Sequence, residues 1–322
     1  MPHFFERQVL MQRVFVFPGQ GSQSVGMLAE LSQQTGVVVD TFAQASAVLG
    51  FDLWQLAQQG PAEALSPTEI QQPLMLTAGV ATWRYWQQQG GYTPDAVCGH
   101  SLGEFSALVA AGALEFVAAV KLVHERARHM QAAVPAGVGA IAAVLGLEDD
   151  IIAAACLEAA AGEVVEPVNF NSPGQAVIAG HAGAVQRALE LCKARGAKRA
   201  LVLPMSVPAH SSLMKPAAAA FEASLATAPL QAPRLAYWSP VDCAPHGDVA
   251  DIRALLARQL ASPVRWSDLV RALAQAGATT FVECGPGKVL TGLNRRIEKR
   301  PEIQCLALQD VSSVAAALAA NI

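Results

Sequence analysis

The sequence predicts an α/β fold: a mostly parallel sheet covered by helices on both faces, with a small β-α-β-β-α-β unit inserted in it. Three observations carry this. Short apolar runs alternate with longer helix-period segments along most of the chain, the pattern of parallel strands joined by crossover helices. Between residues 139 and 204 two strands follow one another directly, and the order becomes that of the ferredoxin-like split unit. Finally, 52% of the 322 residues are apolar, enough for a large core and a smaller one. The expected division is residues 1–136 with 207–322 for the large unit and 137–206 for the small one, about 70 residues and ordinary domain size.

Each element follows from local chemistry. Residues 14–17, Val-Phe-Val-Phe, form a strand that runs into the glycine-rich turn Pro18-Gly19-Gln20-Gly21-Ser22-Gln23. Helical periodicity marks 39–49 and 77–89. A strand at 95–98 leads through Gly99-His100-Ser101 into a helix over 102–111, and another helix covers 116–133. The small unit starts with a strand of small and β-branched residues at 139–147, then a helix at 149–161. A strand at 164–170, the turn Asn171-Ser172-Pro173-Gly174 and a strand at 176–180 follow, the proline and glycine favouring the reversal. A helix at 184–195 and a strand at 198–204 close the unit. The alternation then resumes: helix 211–225, strand 234–239, helices 252–260 and 266–276, a strand and turn within 279–287, helix 289–296 and a last strand at 303–308.

Charged residues make up 15% of the chain and the net charge is −4, which excludes an overall nucleic-acid binder. The cysteines, Cys98, Cys156, Cys192, Cys243, Cys284 and Cys305, show no C-x-x-C spacing. They read as reduced core thiols in a reducing compartment, with no metal bound. Glu6, Arg7 and Arg13 interrupt the N-terminal stretch, which lacks a signal-peptide core, and Met11 is an alternative start to Met1. No apolar run reaches the ~18 residues of a membrane helix. A cytoplasmic protein without membrane contact is expected.

The stretch Gly99-His100-Ser101-Leu102-Gly103 places a serine between a strand and a helix. Such an elbow holds the serine in a strained conformation and needs small neighbours, while the helix N-terminus aims its free N–H groups at the reacting oxygen. A serine hydroxyl needs a base. Of seven histidines, His124 and His129 share a helix with charged residues and read as a solvated face, and His100 adjoins the serine but is aimed elsewhere. His210 stands where the small unit returns to the large one, a natural cleft wall, and position favours it over His246 in the polar loop Asp242–Asp248. The partner that would orient a catalytic histidine is open: Asp242, Asp268, Glu283 or a backbone carbonyl. Arg126 lies on one helix line with Ala119, Leu122 and Met130, whereas Lys121, Glu125 and Arg128 face the other way. An arginine on a buried line needs an anion: either a core carboxylate or a substrate carboxylate gripped bidentately. Gln20 follows a strand end, where open α/β sheets bind ligands, and is an oxyanion donor or part of a plain turn.

Together these stretches resemble the malonyl-CoA:acyl carrier protein transacylase family, over about residues 14–320. The motifs are FPGQGSQ at 17–23, GHSLGE at 99–104, ERARHMQ at 125–131, NFNSPGQAVIAG at 169–180, VPAHSSLM at 207–214, PVRW at 263–266 and ECGPGKVLTGL at 283–293. Val207-Pro208-Ala209 before the histidine looks like the free-standing fatty acid synthesis type. The resemblance implies an α/β-hydrolase-like large domain with a ferredoxin-like insert. It implies Ser101 as the acylated nucleophile, His210 as its base, Gln20 and the Leu102 N–H as the oxyanion hole, and Arg126 as the holder of the malonyl carboxylate. Gln259, in RQLASPVRW, matches the position whose backbone carbonyl orients the histidine, giving a Ser-His dyad. Malonyl-CoA and acyl carrier protein are the implied partners; no cofactor, no metal and a monomer are expected.

Two alternatives from other classes stand beside this reading. A serine esterase or thioesterase would need an acid and a late histidine, for which Asp242 and His246 in one short loop make poor geometry. A non-catalytic carrier-binding protein could use Lys288 and the basic run LNRRIEKR against an acidic partner. Within the same class, the malonyl-loading subunit of another malonate-using complex is a further reading that the sequence alone does not exclude.

Overall fold

Every residue of the run Val14 to Phe17 is fully buried, as expected of a parallel strand covered on both faces. Val14 and Val16 join one core cluster with Ala96, Cys98, Val270 and Phe281. Phe15 and Phe17 point the other way, into the main core with Trp83, Trp86, Phe105 and Phe221. A computed structural model describes residues 11–320 other than Ala136 and Ser206. The choice between Met1 and Met11 falls on residues 1–10, outside the described residues.

Six strands form the large sheet: β1 (Arg13–Phe17), β2 (Ala96–Gly99), β7 (Ala236–Ser239), β8 (Ala244–His246), β9 (Thr280–Glu283) and β10 (Gln304–Ala307), in the order β10-β9-β1-β2-β7-β8. All neighbours are parallel except the hairpin of β7 and β8. A second, antiparallel sheet has the order β4-β5-β3-β6, with β3 at Gly139–Leu145, β4 at Val165–Ser172, β5 at Gln175–His181 and β6 at Arg199–Val202. Helices Asp149–Ala160 and Ala182–Ala194 cover one of its faces. Its other face carries Ile141, Val168, Val177 and Ala179. The chain therefore has the large α/β domain and small inserted domain expected from the order of its segments. The two are laced by backbone: Phe170 N–H donates to Val264 O and Val264 N–H to Val168 O, both at 2.9 Å, which gives the PVRW stretch a structural role.

Three local departures have physical causes. The helix expected from residue 77 begins at Thr68 and runs to Gln88 with Pro73 inside it. Proline removes the donor that Glu69 O would have received four residues on; the His124 ring reaches that carbonyl instead, Nδ1 at 3.4 Å. His124 is thus turned to a neighbouring helix, and His129 lies 6.4 Å from the Phe221 ring, so neither sits on a fully solvated face. The segment 211–225 splits into a short 3₁₀ turn, Ser212–Met214, and a helix, Lys215–Thr227. Helix Leu53–Gln59, strand β8 and helix Val311–Ala319 go beyond the elements expected from the sequence. The six cysteines are free thiols, five of them buried. Among the described residues no single helix is long and apolar enough to cross a membrane.

Candidate active site

Strand β2 ends at Gly99, and the chain turns through Ser101 into helix Gly103–Ala110. Ser101 has φ 54°, the left-handed region that an L-residue enters only under constraint. The glycines make the turn feasible. A Cβ on Gly99 would lie 1.9 Å from the Gly103 carbonyl carbon, and one on Gly103 would lie 2.0 Å from Phe17 O. The sequence thus brings the serine to the carboxyl ends of the central strands, at the mouth of the sheet.

His210 meets it there. Ser101 Oγ and His210 Nε2 are 2.7 Å apart. His210 also has a positive φ, 67°, and its backbone N–H donates to Leu260 O at 3.0 Å. Its Nδ1 lies 2.8 Å from Gln259 O. A carbonyl only accepts, so Nδ1 carries the proton and Nε2 offers a lone pair to the serine. The acids left open in the sequence lie elsewhere. Asp242 pairs with His246, the rival histidine, at 3.1 Å in the β7–β8 hairpin. Asp268 pairs with Arg265 and Arg271, and Glu283 accepts from the N–H groups of Leu290 and Thr291. His100 is aimed away from the serine, its Nε2 2.9 Å from Asn171 Oδ1.

Arg126 is fully buried. Its Nη1 donates to Gln72 Oε1 at 2.8 Å, and its Nη2 donates to Gln259 Oε1 at 2.7 Å and approaches Ser101 Oγ at 3.4 Å. Its Nε has no partner. No carboxylate lies within 4.0 Å of the guanidinium among the described residues. A core carboxylate, one of the two readings of this arginine, is therefore not in contact with it. Burial, partly offset by Glu104, pulls the guanidinium down to about 10. Burial first, and Arg126 second, push His210 down to about 3, so its imidazole is neutral at ordinary pH.

Gln20 and Leu102 complete the set. The Gln20 side-chain amide donates to Gln71 Oε1 at 2.5 Å. Neither the Gln20 backbone N–H nor that of Leu102 donates to a described residue. Ser101, His210 and Gln20 line a cleft of about 260 Å³ between the sheets, roofed by Ile141, Ala143 and Val177 of the small domain and bordered by Asn169, Asn171 and Leu290; Arg126 lies behind Ser101, outside that lining. Sequence reasoning did not reach Gln72 or the side chains of Gln259 and Glu104. Gln72 belongs to no motif, and although Glu104 ends GHSLGE and Gln259 lies in RQLASPVRW, neither stretch says what those side chains hold.

A nucleophile–base pair beside open N–H donors is acyl-transfer equipment, and comparison with known proteins gives the class. The acyl transferase domain family matches residues 14–313, and the chain is an acyltransferase. It is 54% identical over 309 residues to the malonyl CoA-acyl carrier protein transacylase of Salmonella typhimurium, covering 96% of this chain and 99% of the relative. The crystal structure of an acyl carrier protein S-malonyltransferase from Vibrio cholerae superimposes with a TM-score of 0.91 at 54% identity, covering 95% of this chain and 99% of that one. A malonyl-transacylase solved in complex with its type II polyketide acyl-carrier protein does so with a TM-score of 0.94 at 49% identity, covering 96% and 100%. The chain belongs to the malonyl CoA-acyl carrier protein transacylase family, which sets aside the hydrolase and carrier-binding alternatives.

Proposed function

We propose that this enzyme moves a malonyl group from coenzyme A to the phosphopantetheine thiol of an acyl carrier protein, in fatty acid biosynthesis, through a malonyl ester on Ser101. The observation that carries the reading is the meeting of two features at one serine. Ser101 Oγ lies 2.7 Å from a neutral imidazole and 3.4 Å from a buried guanidinium with no carboxylate against it. The first equips the serine for attack, and the second is a cation suited to the anionic end of an acyl group.

Malonyl-CoA sets its carboxylate on Arg126 and its thioester carbonyl at Ser101. His210 Nε2 takes the Ser101 proton as Oγ attacks the carbonyl carbon. Charge gathers on the carbonyl oxygen, where the N–H groups of Leu102 and Gln20 receive it; such a donor is worth ~3–4 kcal/mol in comparable sites. The C–S bond breaks and His210 returns the proton to the departing sulfur. In the second half the carrier thiol gives its proton to His210, its sulfur attacks the malonyl ester, and Ser101 recovers its proton. The Gln259 carbonyl takes the orienting place that an acid fills in a triad, so the machinery is a Ser-His dyad. The substrate also tunes its own base: burial and, second to it, Arg126 hold His210 down, and a carboxylate seated on Arg126 offsets the second of these.

This reading includes a catalytic unit of residues 1–136 with 207–322, a small unit of 137–206, and a cytoplasmic monomer that needs no cofactor. The test is intact-protein mass after brief mixing with malonyl-CoA alone. Wild type gains a malonyl adduct that acyl carrier protein discharges, and Ser101→Ala gains none. Release of free malonate with no transfer to the carrier would overturn the reading.

A further inference from the structure

We infer that Glu104 is a positioning residue for malonyl recognition: through the Gln259 amide it fixes how Arg126 presents its guanidinium. The inference rests on the proposed reaction, since it concerns the same site.

Glu104 lies in the first turn of the helix that follows Ser101, with no exposed surface. It is absent from the cleft lining, and no step above uses it. A carboxylate buried in the main core is costly unless its oxygens are satisfied. Here they are. Gln259 Nε2 donates to Oε1 at 2.5 Å, and Ser239 Oγ at 2.9 Å and the Tyr237 hydroxyl donate to Oε2. Burial pushes the carboxyl up to about 7 against the pull of these donors and of Arg126, and Oε1 accepts with the group ionised or protonated at Oε2.

The consequence runs along the amide. A carboxylate oxygen accepts, so it draws the nitrogen of Gln259 and not its oxygen. The second N–H of that nitrogen goes to Ser101 O at 3.0 Å. The amide oxygen then faces the opposite way, onto Arg126 Nη2 at 2.7 Å. A flipped amide would set an NH₂ group against the guanidinium, donor against donor. Glu104 removes that second state. It also keeps the nearest anion one amide away from Arg126. The guanidinium is held by the neutral oxygens of Gln259 and Gln72, and its charge remains for a substrate carboxylate. A carboxylate in direct contact would compete for the same donors.

The test compares Glu104→Met, which removes the acceptor at similar length, with Glu104→Gln, which keeps one. The readout is loading of Ser101 from malonyl-CoA and from acetyl-CoA, which lacks the carboxylate. Loss of a charge-assisted hydrogen bond predicts a fall of about tenfold or more in malonyl loading for Glu104→Met, seen as a rise in KM. Acetyl loading stays within about threefold, and Glu104→Gln recovers most of the malonyl loading. Equal losses for both acyl groups, no loss in Glu104→Met, or a Glu104→Gln as defective as Glu104→Met would overturn the inference. If melting shows Glu104→Met unfolded, Glu104→Leu, which removes the acceptor in a smaller volume, takes its place. The same selective loss is expected, and an unselective one overturns the inference. A wild type that forms no malonyl adduct would instead remove the reaction beneath it.

Discussion

Replacing Arg126 with methionine separates recognition from chemistry. The guanidinium spends two of its donors on Gln72 and Gln259, while Nε is unpartnered and Nη2 reaches 3.4 Å from the serine oxygen. A carboxylate seated there gains two charge-assisted hydrogen bonds, each worth about 1.5–3 kcal/mol. Together that is about 3–6 kcal/mol, or roughly a hundredfold to ten-thousandfold in kcat/KM. An acetyl group has no carboxylate and loses none of it. Removing the cation also relieves the field that lowers His210, so acetyl loading holds or rises. Stability changes less, because two stranded amide oxygens are offset by the removal of a buried charge. Rapid-quench intact mass with malonyl-CoA and acetyl-CoA, beside a thermal melt, reads all three. A parallel fall in both loading rates would refute the clamp and leave Arg126 as scaffolding.

The remaining predictions concern the base and the elbow. With His210 held down to about 3 by burial and Arg126, single-turnover loading has no acid limb near 6.5; a histidine-like inflection there would contradict the assigned environment. The same depression sets a sign for stability: below 6.5 the unfolded chain takes up a proton that folded His210 refuses, so stability falls as pH falls toward 3. This is read as denaturation midpoints with and without His210→Gln. Gly103→Ala drives a Cβ to 2.0 Å from Phe17 O and should cost about 2 kcal/mol or more. Gly292→Ala, in helix Val289–Ile297 with nothing within 4 Å, should stabilise by about 0.4–1 kcal/mol; equal melting shifts in the two variants would show the elbow contact to be soft.

What the sequence made legible was whatever local chemistry determines. The strand Val14 to Phe17, the Gly99–Ser101–Gly103 elbow and the buried line of Ala119, Leu122, Arg126 and Met130 each follow from periodicity or from backbone demands on glycine, and each stands where it was expected. The start of helix Thr68–Gln88 did not show, because Pro73 reads as a breaker and the carbonyl it frees is met from another helix. Strand β8 is three residues long, too short for alternation to register. Gln72 and Glu104 are joined to the site by partners 54 to 155 residues away along the chain, a relation that no window of sequence contains. The orienting acceptor of His210 stayed open to residue types, since a backbone carbonyl has none to read, and only the family resemblance pointed to Gln259.

The short turn at residues 259–261 holds His210 at two points, by Leu260 O on its backbone and Gln259 O on its ring, and through the Gln259 amide it also holds the tip of Arg126. Ser101 is anchored differently, at the end of a strand in the middle of the sheet. Base and anion seat are therefore mechanically ganged. A displacement of that turn is common to both, and against the serine it appears in the 2.7 Å gap to His210 and in the 3.0 Å hydrogen bond from the Gln259 amide to Ser101 O. The tolerance of the reaction to motion is thus set by how firmly one turn is seated against the sheet.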